Sequence, residues 1–440
     1  MVKTSLPGSE DTTRVELTNG IVVLVRSNFN SPTVAIKGYI TAGSLFDSPE
    51  KLGCSVFTAA ALSRGTTTRS FEEIFNLQES VGASFGISSG THITAFNGHS
   101  LVEDLPLILD LLSDELRNPA FPHAELERMR RQFLTSLNLR AQNTGAIVDM
   151  TFDKMIYGDH IYARPDEGYP ETIKAITRDD LISFHKQAYG PKGMVVCVVG
   201  AVEAQEAIDL VQKTLGDWSN PLQLPPVQLS PVAPFLKSER QDIALPGKVQ
   251  TDLVMGTLAM ERKSPDYLPA ILGNSVLGQF GMMGRIGEVV RERSGLAYYA
   301  SSSVSGGTLP GTWDVQAGVN PSNLEKAIDL IKKEISLFVK EGVTEEELSD
   351  SQEAFIGRLP LSLESNSGVA KALVSIERKN LGLDHYYSYE TRVRSVTPEM
   401  VVETARKYLG PGNFAIATCG PALSETQATP SASTIKDESL

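Results

Sequence analysis

The segment ITRDDLISFHKQAYGPKGMVVCVVG (176–200) aligns without a gap on VTPEMVVETARKYLGPGNFAIATCG (396–420), at an offset of 220 residues. Each copy reads as a threonine-capped amphipathic helix, a Gly-Pro stop and a β-branched strand closing on glycine. An earlier pair stands at nearly the same offset: LPLILDLLSDELRNPAFPHAELERMRRQFLTSL (105–137) and LEKAIDLIKKEISLFVKEGVTEEELSDSQEAFIGRL (324–359). Both members read as helix, short break with a capping signal, helix. A chain that repeats itself in this way is constrained to fold as two similar units.

Strands precede these helices. GIVVLVRS and TVAIKGYIT lie in the first half and DLVMGTLAM in the second, each followed by a helix-forming stretch and then by THITAFNGHS or TWDVQAGVN. That order predicts an α+β protein of two duplicated α/β sandwich-like halves, each a mostly antiparallel sheet with helices packed on one face. The prolines of SNPLQLPPVQLSPVAPF (219–235) predict an extended linker. The expected division is an N-terminal half over 1–218, the linker over 219–235, a C-terminal half over 236–423 and a polar, Ser/Thr-rich disordered tail over 424–440.

Composition excludes several functions. With 41% hydrophobic and 21% charged residues and no apolar run of about 18, the chain has no expected membrane segment. A formal net charge of −13 repels a phosphate backbone, so no nucleic-acid partner is expected. The opening MVKTSLPGSEDTTRVEL carries neither the apolar core of a secretory signal nor the arginine-rich bias of a transit peptide, which predicts a cytoplasmic or otherwise soluble intracellular location. Cys54, Cys197 and Cys419 are odd in number and far apart, and read as small buried apolar residues. His92, His99, His123, His160, His185 and His385 contain no pair at the spacing that puts two ligands on one helix face, so no metal site is expected on this chain.

Three segments invite chemistry. LGQFGMMGRIGEVV spaces Gly278, Gly281, Gly284 and Gly287 before a helix, but fits no phosphate-loop pattern and lacks a lysine. It reads as a hinge or substrate-contacting loop, with Gly281 and Gly284 as candidates, or as a tight packing turn. His123, Glu125 and Glu127 in HAELER sit at a helix start, where acidic side chains favour the positive end of the dipole. In RERSGLAYY, Arg291 and Tyr298 flank a Ser-Gly turn from helix into strand. Guanidinium and phenol are donors suited to negative charge on a carbonyl oxygen. On spacing alone they fit a surface arginine and an interfacial tyrosine equally well.

The middle of GCSVFTAAALSRGT (53–66) carries no side chain that could bind a metal, take a proton or attack a carbonyl. Its setting, after two strands and AGSLFDSPEKLG and before RSFEEIFNLQESVGASFGISSGTHITAF, resembles the inverzincin zinc peptidases, the family of pitrilysin and the mitochondrial processing peptidase. In that family the helix carries His-x-x-Glu-His, with a further glutamate ligand roughly 75 residues on. The resemblance lays the histidine positions on Val56 and Ala60, the glutamate base on Ala59 and the distant ligand near Ser136. Valine and alanine neither coordinate zinc nor activate water.

The resemblance spans both halves and carries the family's arginine-tyrosine motif onto Arg291 and Tyr298. It implies a non-catalytic subunit of a heterodimeric zinc endopeptidase, inactive alone. A homologous partner would supply the His-x-x-Glu-His helix and the zinc, no cofactor would bind this chain, and extended or unfolded peptides would be substrates. Other family members imply alternatives: a structural core or scaffold subunit, or a peptide-binding homodimer without peptidase activity.

Overall fold

The computed structural model describes residues 6–422, apart from the side chains of Phe280 and Met282; the expected tail over 424–440 lies outside them. Two sheets organise the chain. The first is built from β1 (Thr13–Glu16), β2 (Val22–Ser27), β3 (Thr33–Ile40), β4 (Ser84–Ser89), β5 (Thr94–Leu101) and β6 (Val195–Gly200), in the spatial order β1-β2-β6-β3-β5-β4. The second is built from β7 (Glu239–Ala244), β8 (Thr251–Leu258), β9 (Ala297–Val304), β10 (Thr312–Val319) and β11 (Ala415–Gly420), in the order β7-β11-β8-β10-β9.

Removing β1 makes the two orders superimposable. In each sheet one pair is parallel, β2 with β6 and β7 with β11, and the other pairs are antiparallel. The repeated segments behave alike: Thr177 and Thr397 cap their helices by accepting from the amides of Asp180 and Met400. The strands that follow, β6 and β11, are buried at every residue. The α+β class and the duplication read from the sequence are therefore present. The proline-bearing stretch 219–235 carries no helix or strand.

The helices are not confined to one face of each sheet. A strand such as β6, VVCVVG, has no polar alternation and needs apolar cover on both sides. Val196 and Val198 enter the main core, which includes Phe57, Leu109, Leu112 and Leu181. Val195, Cys197 and Val199 face the other way, against Val369, Leu373 and Ile376 of the helix Asn366–Arg378. In the second sheet, Ala415, Ala417 and Cys419 of β11 pack against Val148, Phe152 and Ile156 of the helix Thr144–Tyr157.

The halves thus exchange helices. One compact unit comprises the residues up to Asn138 with His160–Ser230 and Gln352–Ser395; the other comprises Leu139–Asp159, Pro231–Ser351 and the residues from Val396 on. Each buried Val, Leu, Ile or Phe on an exchanged helix contributes about 1.5–3 kcal/mol, so neither helix is a loose appendage. All three cysteines are free and buried. Among the described residues no helix is long and apolar enough to cross a membrane.

Candidate functional site

In the first unit, β3 leads through a short loop to Gly53, whose φ of 94° lies in the left-handed region. The helix Cys54–Leu62 starts there. Its N-terminus is held by Asp47, which accepts the backbone amides of Gly53 and Ser55, both at 2.9 Å. Burial outweighs these bonds and pushes the Asp47 carboxyl up to about 7.

Seven of the nine residues of this helix are buried; Val56 and Ala60, four apart on one face, are the two that are only half-buried. Ala59 is buried at 1% exposure. Ser136 lies exposed on the helix His123–Arg140. That helix docks on the first through Phe133, whose ring centroid is 5.1 Å from that of Phe57. The positions that the resemblance assigns to the zinc ligands therefore fall on two packed helices, one of them on a half-open face. The residues present do not fit zinc, because valine and alanine carry no donor atom and serine alone does not make a site.

Among the described residues no cluster of three His, Cys, Asp or Glu side chains has metal-holding geometry. The HAELER acids are spent within their helix: Glu127 pairs with Arg130 at 3.1 Å and Glu125 with Arg128 at 3.7 Å. β4, the edge strand of the first sheet, packs on the Cys54–Leu62 helix.

The other candidates lie in the second unit. Arg291 belongs to a turn of π-helix, Glu288–Arg293, a geometry often found at functional sites. Gly295, at φ 61°, turns the chain; its amide donates to the Arg291 carbonyl at 2.9 Å and that of Leu296 to the Val290 carbonyl at 3.0 Å. β9 follows, with Tyr298 as its second residue, 69% exposed, while Ala300 is buried. The Arg291 side chain is 34% exposed and lies 3.1 Å from Glu292 Oε1.

The glycine-spaced segment forms the helical stretch Phe280–Gly287, which packs on both β9 and the π-helical turn. Gly281 and Gly284 have φ of 59° and 65°, as does the non-glycine Met283 at 79°. A Cβ on Gly284 would come within 2.6 Å of the Gly278 nitrogen and Val276 oxygen, whereas one on Gly281 would meet open space. Gly284 thus serves tight packing. The three elements that carry Gly281, Arg291 and Tyr298 pack on one another, and β9 is the edge strand of the second sheet.

Two supporting residues escaped the sequence reading. Asp47 lies six residues before Gly53, outside the usual capping interval. Asp252 accepts from the Tyr299 hydroxyl at 3.1 Å and from Thr144 at 2.5 Å, so it ties β9 and the exchanged helix to β8.

Comparisons with known proteins agree with this architecture. Residues 22–165 match the family described as insulinase, peptidase family M16, and residues 175–355 match the peptidase M16 inactive domain. An uncharacterized zinc protease of Streptomyces coelicolor is 25% identical over 410 residues, covering 90% of this chain and 87% of that protein. The mitochondrial-processing peptidase subunit beta of Lentinula edodes is 25% identical over 431 residues, covering 92% and 89%. The crystal structure of a peptidase M16 inactive domain from Pseudomonas fluorescens superposes with a TM-score of 0.87 at 25% identity, covering 94% of this chain and 98% of that one. A protease from Helicobacter pylori shares the fold, with a TM-score of 0.86 at 19% identity. With both characteristic domains matched in order and the duplicated architecture in place, this chain belongs to the M16 peptidase family.

Proposed function

We propose that this chain is the metal-free subunit of a two-chain zinc endopeptidase. A homologous partner with an intact His-x-x-Glu-His helix supplies zinc and the general base. This chain supplies Arg291 and Tyr298, whose guanidinium and phenol groups hold the substrate and the charge that develops on its carbonyl oxygen. Gly281, on the helical stretch that packs against β9 and the π-helical turn, has open space where a Cβ would stand, which supports a role in admitting the peptide backbone.

The observation that carries the reading is the coexistence, on one M16 chain, of donor-free side chains at positions 56, 59 and 60 and only a serine at 136 with a largely exposed Tyr298 seven residues after Arg291. A chain with such residues cannot build the catalytic zinc site alone, so an oxyanion-holding role for Arg291 and Tyr298 calls for a metal brought by another chain. The substrate is an unfolded or extended peptide. Edge strands such as β4 and β9 offer main-chain groups to such a segment, so selection rests on extension more than on side-chain sequence.

The test is turnover of an unstructured peptide by the assembled complex. Arg291→Ala and Tyr298→Phe are expected to lower kcat/KM by about 10²–10³ while zinc content and assembly stay unchanged. Unchanged turnover would remove the proposed role and favour a scaffold subunit or a peptide-binding homodimer.

A further inference from the structure

The first unit holds a second concave feature, which the peptidase reading does not use. It is a cavity of about 410 Å³ against the helix Arg178–Ala188, a volume within the range of roughly 300–1,000 Å³ typical of small-ligand pockets. The chain as a whole carries a net charge of −13, yet no aspartate or glutamate lines this cavity, while Arg117, Arg178 and Lys186 all do.

Those cations differ in how they are held. Arg178 donates from Nε to the Phe121 carbonyl and from Nη2 to the Ala120 carbonyl, both at 2.9 Å. The carbonyls fix the guanidinium without neutralising it. Among the described residues neither Arg178 nor Lys186 has a carboxylate partner. Arg117 is committed elsewhere: its Nη1 and Nη2 donate to the two Asp217 carboxyl oxygens at 2.7 and 3.3 Å, and Nη1 also donates to the Thr214 carbonyl at 3.0 Å, which leaves Arg178 and Lys186 as the cations without a carboxylate.

The floor is aromatic. Tyr189 is buried and Trp218 is 7% exposed; the indole N–H of Trp218 has no acceptor among the described residues. The His185 ring lies 5.0 Å from that of Tyr189, tilted by 32°. Its Nε2 donates to the Leu116 carbonyl at 2.8 Å, so in the neutral ring, the form that burial favours, the lone pair is on Nδ1. Asn220 braces the wall by donating to the carbonyls of Lys186 and Tyr189 at 2.8 and 2.6 Å.

We propose that this cavity binds a small phosphomonoester carried on a flat ring. The cations match a dianionic phosphate, for which arginine offers a planar fork of donors. The aromatic floor takes the ring, and the indole N–H with the imidazole lone pair supplies one donor and one acceptor for a ring substituent.

The test is calorimetric titration of the full chain, without any partner subunit, using phenyl phosphate and adenosine 5′-monophosphate. Adenosine and inorganic phosphate serve as half-ligands. At least one ring phosphate is expected to bind one to one and at least tenfold more tightly than either half-ligand. Lys186→Ala and Arg178→Ala are each expected to weaken it by roughly tenfold, as loss of one charge-assisted contact implies. Arg178→Ala also frees two carbonyls, so its melting temperature is checked, and Lys186→Ala, whose side chain makes no such contact, carries the test if that variant melts early. Absence of binding by both ring phosphates up to millimolar concentration overturns the proposal. So does binding that inorganic phosphate equals, or that Lys186→Ala leaves unchanged. Because no partner or peptide is present, the result stands independently of the peptidase reading.

Discussion

Phe57 and Phe133 meet with ring centroids 5.1 Å apart and planes at 50°, and the Arg130 guanidinium lies 5.4 Å from the Phe57 ring centroid. This contact joins the two helices that bear Val56, Ala60 and Ser136, the positions the resemblance assigns to the zinc ligands. Apolar packing and a cation–π contact hold them together without a metal. Phe57 is fully buried, so Phe57→Ala should cost about 3–5 kcal/mol in urea unfolding.

Because those helices are already docked, ligands should suffice to restore a site. Val56→His, Ala60→His and Ser136→Glu together are expected to take up about one zinc per chain, against none for the unaltered protein, measured by metal analysis after gel filtration. A folded triple variant that remains metal-free would mean that position 136 does not reach the Val56–Ala60 face.

The start of the Cys54–Leu62 helix depends on Asp47, which satisfies two of its orphan amides. Asp47→Ala should destabilise the protein by about 1–3 kcal/mol, because buried donors lose their acceptor. Equal urea midpoints for the two proteins would show that solvent replaces the carboxylate there.

Glu115 gives the fold a pH dependence of definite sign. It is 1% exposed, neither carboxyl oxygen has a hydrogen-bond partner, and burial, aided by neighbouring Asp114, pushes its pKa up to about 8. The folded state therefore holds a proton that the unfolded chain releases near pH 4.3, and stability from this group falls as pH rises from about 4.3 to 8. Glu115→Gln should remove that decline, so the variant gains on the parent steadily across this interval in urea titrations. A difference that does not vary with pH would contradict the account.

The exchanged helices predict crossed effects. Phe152 belongs to the first half of the sequence but packs on β8 and β11, while Leu373 belongs to the second half but packs on β3 and β6. Phe152→Ala should speed amide exchange in β8 and β11, and Leu373→Ala in β3 and β6. Each substitution should cost about 2–5 kcal/mol. Faster exchange confined to the sheet of the same half would contradict the packing.

Much of this was legible in the sequence, for physical reasons. The Thr cap, the Gly-Pro stop and the all-apolar strand have local meanings, so both copies of 176–200 could be read directly. Edge strands β1 and β7 were not, because TRVE and ERQDIA are mostly exposed and show no apolar alternation. Nor was the exchange of Thr144–Tyr157 and Asn366–Arg378 between sheets. An amphipathic helix announces that it buries one face, but not against which sheet. At the site, the family resemblance pointed to Val56, Ala60, Arg291 and Tyr298, whereas the half-open face and the brace from Asp47 arise only once the chain is folded.

The central claim is that another chain brings the metal. Native mass spectrometry of the complex purified through this chain from its own cell tests it most directly. The account predicts a homologue in equal amount, with an intact His-x-x-Glu-His helix and one bound zinc. Recovery of this chain alone, as a homodimer, or in an assembly lacking such a homologue would contradict it.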